Sequence, residues 1–329
     1  MSNELQPDKP FKTVDEQIDI LESRGLVIKD RNAAKNIIFM ISYYDLVNGY
    51  KDIFMIDDNF RPNLSIEYLY LFSRFDRNIQ NILFKYSVII ETSFKNALAY
   101  IISKNYGVLE DNYLSPNNYL RPNHSKTISL LNSIRKVYEK SIDSIEEPTK
   151  HYKMKKNHIP PWILFKNITF DQSIRLYKLL RSDDKMEVCS ILLDDEIVDE
   201  NKKEVLFNSL SITRRFRNKI AHNLKFITYK DNVYNINRNI VGNSNYQNLF
   251  DKNNYNNVYA MIICMNILMR DYLITSEMNS SIIVTAKAFA KRDYQIVYDY
   301  MNATGIPTDF ESKAKLIEDL KLKNNYPKF

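Results

Sequence analysis

Residues 65–105 read SIEYLYLFSRFDRNIQNILFKYSVIIETSFKNALAYIISKN and contain neither glycine nor proline. Apolar side chains recur along this run at steps of three and four, which is the spacing of one face of an α-helix. The stripe is formed by Leu69, Phe72, Phe75, Ile79, Leu83, Tyr86, Ile90, Phe94, Leu98 and Ile101. We therefore predict one long helix with a continuous core-facing stripe, which ends near Gly107.

The scarcity of glycine favours the same kind of fold for the rest of the chain. The 329 residues include 5 glycines, well below the usual share of roughly 7%. Few glycines leave few tight turns, which favours long helices over a many-stranded sheet, so we predict an all-α fold. Its three predicted parts are an N-terminal helical unit (1–61), a central helical domain (62–275) and a C-terminal helical extension (276–329).

Several shorter elements are predicted around the long helix. Thr13 and Glu16 have the spacing of a capping box, which marks the start of the first helix. Further helices are expected over 32–44, 125–143, 185–193, 201–226, 258–274, 280–302 and 312–323, with a small hairpin at 229–234.

The composition is that of a globular protein, with 44% hydrophobic and 26% charged residues. The net charge of +6 permits a polyanionic partner, although surplus surface lysine explains it equally well. Cys189 and Cys264 match no metal-ligand spacing, so we expect two small buried side chains in a reducing compartment. The N-terminus has no signal pattern, and no apolar run approaches the roughly 20 residues of a membrane span. We therefore expect a cytoplasmic protein without a membrane partner.

One polar stretch combines the residue types that RNA chemistry needs: Arg214-Arg215-Phe216-Arg217-Asn218-Lys219-Ile220-Ala221-His222-Asn223, here called the Arg/His stretch. Histidine gains or loses a proton near neutral pH, and the arginine guanidinium matches the geometry of a phosphate. The spacing alone is weak evidence for a site. The alternative is a basic helix end at which His222 packs or caps the last turn.

RNA cleavage without a metal needs a base for the ribose 2′-OH, an acid for the leaving 5′-oxygen, and a cation for the phosphorane. His222 suits the base or the acid, and Arg217 suits the phosphate oxygens. Asn218, four residues before His222, lies on the same helical face and can orient the ring or the substrate. Sequence-independent attraction to the RNA backbone is expected from Arg214, Arg215 and Lys219.

The spacing between Arg217 and His222 restricts how they can act together. At about 100° per residue, five residues on a regular helix separate two side chains by about 140°. Convergence on one phosphate then needs either a distorted turn or a second copy of the chain. One histidine also cannot serve as base and acid at once. We therefore predict a homodimer with a composite site across a two-fold axis.

Motifs along most of the chain resemble those of Abi-like (AbiD/AbiF) abortive-infection proteins. The matching residues are Glu16-Gln17-Ile18, Tyr43-Tyr44, Gly49-Tyr50, Phe75-Asp76-Arg77, Pro161-Trp162, Thr169-Phe170 and Gly305-Ile306-Pro307. Arg217-Asn218 followed by Ala221-His222 is similar to the HEPN motif of that family. The chain has Lys166, Asp171 and Asn223 where the family usually has Glu, Gly and, in many members, a second His.

The resemblance implies a HEPN-like helical bundle that acts as a metal-independent endoribonuclease in anti-phage defence and needs no cofactor. It also implies dimerisation, products with a 2′,3′-cyclic phosphate and a 5′-hydroxyl, and a possible small noncoding RNA or antitoxin as partner. Two alternatives stay open. One is a non-catalytic protein that holds a small structured RNA, and the other is nucleotide transfer to a target.

Further candidates lie outside the Arg/His stretch. Glu91 matches an acidic position of the family and is expected either to contact Arg217 or His222 or to lie solvated at the core rim. We also expect a structural ion pair of Asp76 with Arg77, a helix N-terminus at His124 and a core position for Trp162. His151 and His158 lie in a basic stretch without metal-ligand spacing, which predicts either a plain surface loop or a loop that helps to hold RNA.

Overall fold

The computed structural model describes residues 8–242 and 244–325, and 69% of it is helical. The all-α prediction is confirmed. The α-helices are α1 (Val14–Ser23), α2 (Arg31–Ile41), α3 (Tyr43–Asn48), α4 (Lys51–Phe54), α5 (Ile66–Tyr106), α6 (Glu110–Tyr113), α7 (Ser125–Glu139), α8 (Thr149–Lys155), α9 (Pro161–Leu164), α10 (Phe170–Leu179), α11 (Ser182–Leu192), α12 (Asp199–Ala221), α13 (Val258–Leu268), α14 (Tyr272–Ala290), α15 (Tyr294–Thr304) and α16 (Phe310–Asn325).

Extended structure in the described part of the chain consists of two short antiparallel pairs and one isolated parallel bridge between Val27 and Ser65. The strands are β1 (Met55–Ile56), β2 (Asn59–Phe60), β3 (Ile236–Asn237) and β4 (Asn254–Tyr255). In the first pair Met55 faces Phe60, and in the second Ile236 faces Tyr255. Short 3₁₀ helices cover Pro116–Asn118, Ile142–Ser144, Arg238–Val241 and Asn245–Leu249.

Helix α5 is the axis of the molecule, as the long apolar stripe predicts. Ser65 caps its first turn by accepting a hydrogen bond from the Tyr68 amide, and Gly107 ends it with a φ of 87°. Its 41 residues extend for about 60 Å at 1.5 Å per residue. All ten side chains of the predicted stripe are buried. The helices that pack against α5 include α2 and α3 near the N-terminus and α14 and α15 near the C-terminus, so α5 connects the two ends of the fold.

Helix α12, which carries the Arg/His stretch, packs between α5 and α13. Every residue of α13 is buried, because this helix is apolar all round and sits inside the bundle. Residues Leu206, Leu210 and Phe216 fix the apolar side of α12 in the core. The polar end of α12 is therefore held by a well-packed helix on either side.

The end of α12 differs from the prediction of a helix over 201–226. The helix ends at Ala221, since Asn223 adopts a left-handed conformation with a φ of 50°. The amide of Leu224 donates to the carbonyl of Lys219 at 2.9 Å, and that of Asn223 donates to Ile220 at 3.1 Å. These two bonds form a Schellman motif, in which asparagine takes the place that glycine usually occupies.

Local capping also divides other predicted helices. The predicted helix over 32–44 becomes α2 and α3, because Ser42 has a φ of 72° and caps α3. The helices predicted over 258–274 and 280–302 become α13, α14 and α15, since Asp271 caps α14 and Asp293 caps α15. The capping box of Thr13 and Glu16 is confirmed.

Two further predictions are wrong. Residues 229–234 form no hairpin, because the Asp231 carboxylate accepts hydrogen bonds from the amides of Val233 and Tyr234 and makes a turn. Trp162 is 46% exposed rather than a core residue. It occupies the outer side of α9, whose neighbours Ile163 and Leu164 face the core.

Buried apolar side chains from all three predicted parts, from Ile18 to Leu320, belong to one cluster. The boundary between 275 and 276 lies within α14. The division into three domains stays a prediction, and residues 1–7 and 326–329 of its outer parts lie outside the described residues. Cys189 and Cys264 are buried, and burial raises the pKa of the Cys264 thiol to about 12. No helix in the described ranges is long and apolar enough to cross a membrane.

Candidate functional site

Arg217 lies near the end of α12 and faces α5, where it forms an ion pair with Glu91. The Nη2 atom of Arg217 is 2.9 Å from Oε2 of Glu91, and its Nη1 atom donates to Oδ1 of Asn218 at 3.1 Å. The guanidinium lies 5.8 Å from the centre of the Phe84 ring. These contacts hold the arginine in one orientation and leave its side chain 26% exposed.

Glu91 binds a second cation as well as Arg217. The Nζ atom of Lys95, one turn further along α5, is 2.7 Å from Oε1 of Glu91 and also donates to the carbonyl of Ile168 at 2.6 Å. The Glu91 side chain is 13% exposed. One largely buried carboxylate is thus shared by two cations, which leaves positive charge at this point of the surface.

The two cations lie in an open groove of about 420 Å³, here called the Glu91 groove. Besides Arg217, Glu91 and Lys95, its lining includes Lys166 and Glu147. Three cations against two carboxylates make the groove suited to an anion. The Nε atom of Arg217 is buried and has no hydrogen-bond partner among the described residues.

His222 lies outside this groove. It is the C-cap of α12, with its amide donating to the carbonyl of Asn218 at 3.1 Å. Its side chain is exposed, and within the described ranges its ring makes no hydrogen bond or ion pair. The structure thus brings Arg217, Asn218 and Glu91 together and leaves the imidazole outside their side-chain contacts. Glu91 meets Arg217 and not His222.

The other cations of the Arg/His stretch are held by partners within the protein. Arg214 lies 2.7 Å from the carboxylate of Asp171, and the Lys219 ammonium lies 4.6 Å from the centre of the Tyr229 ring. Arg215 Nε is 2.6 Å from Asp231 Oδ2, which makes an ion pair, and its N–H donates a hydrogen bond to the Tyr229 hydroxyl at 3.3 Å. Their predicted contacts with RNA stay a prediction.

Comparison with known families gives a clear result. The family model described as Abi-like protein matches residues 36–228, which is more than half of the chain and includes Glu91, Arg217 and His222. The chain belongs to the Abi-like protein family. This membership suggests a part in abortive-infection defence. No curated protein and no solved structure matches the chain.

The remaining histidines of this Abi-like protein do not line the Glu91 groove, although the amide of His151 donates to the Glu147 carboxylate at its edge. His124 caps α7, and its Nδ1 atom accepts a hydrogen bond from the Lys126 amide at 3.2 Å, as the helix N-terminus prediction requires. His151 lies on α8 rather than in a loop, and His158 contacts Asn157 at 2.8 Å. The described residues contain no cluster of His, Cys, Asp and Glu arranged to hold a metal.

Asp76 and Arg77 do not form the predicted ion pair in this Abi-like protein. Asp76 points into the core and accepts hydrogen bonds from Tyr50, Tyr300 and Gln80 at 2.9–3.2 Å. Burial raises the pKa of its carboxyl from 3.8 to about 6, against the opposing effect of these hydrogen bonds and of Arg77. Neighbouring residues on a helix point about 100° apart, so Arg77 lies at the surface instead.

Sequence reasoning missed several partners of the Arg/His stretch. Lys95 follows Glu91 by four residues, a spacing that predicts an ion pair on one helical face. By contrast, Asp171 and Asp231 meet Arg214 and Arg215 through tertiary packing, and no local pattern marks them. The same holds for Arg77, which donates a hydrogen bond to the amide oxygen of Asn223 across 146 residues.

Proposed function

We propose that this Abi-like protein is a metal-independent endoribonuclease of anti-phage abortive-infection defence, of the HEPN type. The observation that supports it most is a contrast within one stretch. Arg217 is fixed in a cationic groove, and five residues later the imidazole of His222 is exposed and has no hydrogen-bond partner among the described residues. A fixed cation suits phosphate, and an imidazole free of hydrogen bonds to protein is available for proton transfer.

The chemistry assigned to these residues is an internal displacement at phosphorus. A base removes the proton from the ribose 2′-OH, the 2′-oxygen bonds to phosphorus, and the bond from phosphorus to the 5′-oxygen breaks. An acid then protonates the 5′-oxygen, which leaves a 2′,3′-cyclic phosphate and a 5′-hydroxyl. Arg217 carries the stabilisation of the phosphorane, and Asn218 holds Arg217 in place through its side-chain oxygen.

We further propose that the complete site contains two chains. His222 is not part of the lining of the Glu91 groove, and one imidazole cannot be base and acid in the same step. A two-fold axis beside the end of α12 supplies a second histidine and a second arginine to one cleft. A protein that stays monomeric at assay concentration and still cleaves RNA contradicts this composite site.

The deciding experiment compares His222→Ala with the wild type on single-stranded RNA in the presence of a chelator. We expect the wild type to cleave without added metal and to release 2′,3′-cyclic phosphate ends, and the variant to lose at least about 100-fold in rate while keeping its RNA affinity. His151→Ala is the matched control, because His151 is also exposed and lies on a different helix.

The same experiment tests the alternative of a non-catalytic RNA holder. Wild-type protein that binds RNA and leaves it intact, together with one defined RNA species among the co-purified nucleic acid, supports the holder and contradicts the enzyme.

A further inference from the structure

Among the described residues, one side-chain hydrogen bond joins the turn that carries His222 to the long helix. Arg77, on α5, donates from Nη2 to the side-chain oxygen of Asn223, the residue directly after His222. Asn223 has a left-handed backbone and is exposed, so its own packing holds it weakly. We refer to His222, Asn223 and Leu224 as the terminal turn.

Arg77 is itself held by a chain of hydrogen bonds that reaches the core. Its Nη1 atom donates to Oε1 of Gln80 at 3.2 Å, and Gln80 Nε2 donates to Oδ2 of Asp76 at 2.9 Å. Asp76 in turn accepts from the hydroxyls of Tyr50 at 3.1 Å and Tyr300 at 3.2 Å. This series of hydrogen bonds therefore starts at Tyr50 and Tyr300, in the N-terminal and C-terminal parts, and ends at Asn223, the residue next to His222.

The terminal turn has open space beside it, so the hydrogen bond from Arg77 to Asn223, here called the tether, can affect where the turn lies. A cleft of about 180 Å³, bordered by Tyr44, Gly49, Arg77 and Asn223, separates the turn from the N-terminal helices. Apolar packing begins again at Phe226 and Ile227, which are buried. Lys225, directly after the terminal turn, forms an ion pair with Asp52 of α4. Between these anchors, backbone hydrogen bonds to Ile220 and Lys219 hold the terminal turn to α12, and the Asn223 side chain ties it to Arg77 of α5.

We propose that Arg77 is a positioning residue for His222, which it fixes through the side chain of Asn223. This rests on the proposed ribonuclease function. The imidazole of His222 is exposed and without protein hydrogen bonds in the described ranges, so the backbone of the terminal turn decides where it points. Misplacement of a reacting group by about 1 Å costs up to about 100-fold in rate.

The test uses variants that separate the side-chain contact from the backbone conformation. Asn223→Gly keeps the left-handed turn and removes the acceptor of Arg77, whereas Asn223→Asp keeps both, because aspartate tolerates this conformation. Arg77→Ala removes the donor. The matched controls are Asn63→Gly, at another exposed residue with a φ of 63°, and Arg74→Ala, at an exposed arginine one turn earlier on α5.

We expect Asn223→Gly and Arg77→Ala each to lower kcat by about 10- to 100-fold with little change in KM. The double variant should lose no more than either single variant, since both remove one contact. The two controls should keep wild-type kcat, and Asn223→Asp, which keeps the contact with Arg77 but adds a negative charge, should keep more of it than Asn223→Gly. If Arg77 instead binds RNA directly, Arg77→Ala raises KM and Asn223→Gly leaves kcat intact. That outcome overturns the positioning role, as does an unchanged kcat in both variants.

A second measurement tests the contact between Arg77 and Asn223 even if the protein cleaves no RNA. The ring signal of His222, assigned in an NMR spectrum by comparison with His222→Ala, reports the mobility of the terminal turn. We expect a sharper, more mobile signal in Arg77→Ala and Asn223→Gly and an unchanged signal in Asn223→Asp. Unchanged mobility in the first two variants contradicts the tether, whereas increased mobility without any cleavage in the wild type supports the tether and contradicts the ribonuclease.

Discussion

The arginine half and the histidine half of the Arg/His stretch differ in how the protein holds them. Arg214, Arg215 and Arg217 lie on the helical part of α12, and each meets a carboxylate from a distant part of the chain. His222 lies past the last helical residue, exposed, with a ring that contacts no hydrogen-bonding group of the described residues. Five residues separate an arginine whose side chain is fixed by partners from a histidine whose own side chain is fixed by none among the described residues.

This difference indicates a division between stability and chemistry. A guanidinium taken partly out of water needs a counter-charge, so the arginine half contributes to folding as well as to the surface. An exposed imidazole contributes almost nothing to folding, so its presence needs another explanation. We therefore expect substitutions in the arginine half to change the free energy of unfolding, and substitutions in the histidine half to change activity.

The largest effect on stability is expected for Asp231→Ala. The Asp231 carboxylate is buried, lies 2.6 Å from Arg215 and accepts hydrogen bonds from the amides of Val233 and Tyr234. Its removal leaves a partly buried cation and two amides without partners, which should cost about 3 kcal/mol of unfolding free energy. Urea denaturation measures this. Asp319→Ala, at an exposed carboxylate on α16, is the control and should change little.

A pH-dependent effect of similar size is expected at Asp76, the core end of the tether to His222. Its pKa is raised from 3.8 to about 6 in the folded protein, so the folded state keeps a proton that the unfolded state releases between these values. Stability should then fall by about 2 kcal/mol as the pH rises from about 4 to about 6.

Asp76→Asn isolates this effect, because asparagine does not titrate. The difference in unfolding free energy between the variant and the wild type should shift by about 2–3 kcal/mol in favour of the variant between pH 4 and pH 7. Other carboxyl groups cancel in this difference. A difference that stays constant with pH contradicts a raised pKa at Asp76.

Glu91→Gln should have an intermediate effect and sharpen the comparison at the groove. Glutamine keeps a hydrogen-bond acceptor for Arg217 but leaves Arg217 and Lys95 without a counter-charge, which should cost about 1–2 kcal/mol of stability. The freed charge should tighten RNA binding several-fold at low salt, with a steeper salt dependence. The exposed Glu204→Gln on α12 is the control. Weaker RNA binding in Glu91→Gln would show that the groove does not receive the phosphate.

The smallest stability effect is expected for His222→Ala. Its side chain is exposed and makes no hydrogen bond or ion pair with the described residues, so the unfolding free energy should stay within about 0.5 kcal/mol of the wild type. A loss of more than about 1 kcal/mol in unfolding free energy contradicts this difference between the two halves and supports the alternative in which His222 is a structural cap of α12. The same preparation serves the RNA assay, so stability and activity are compared on one protein.

Local features of the chain were readable from sequence because their causes are local. The three- and four-residue spacing of the stripe from Leu69 to Ile101 predicts α5, since the side chains repeat with the helix itself. The end of α12 at Ala221 was missed, although Asn223 is one of the residues that take the left-handed conformation. An asparagine at that position is a weaker stop signal than a glycine, and nearby apolar residues suggested a longer helix.

The sequence by itself determined the all-α fold, the long central helix and the family, because apolar periodicity and short motifs are recorded in neighbouring residues. Only the tertiary structure decided that Arg217 is bound by Glu91, 126 residues away, that Arg77 reaches Asn223, and that His222 lies outside the groove. Pairs at such separations arise from how α5 and α12 pack. That packing depends on the summed burial of the whole core and leaves no local mark on the residues it brings together.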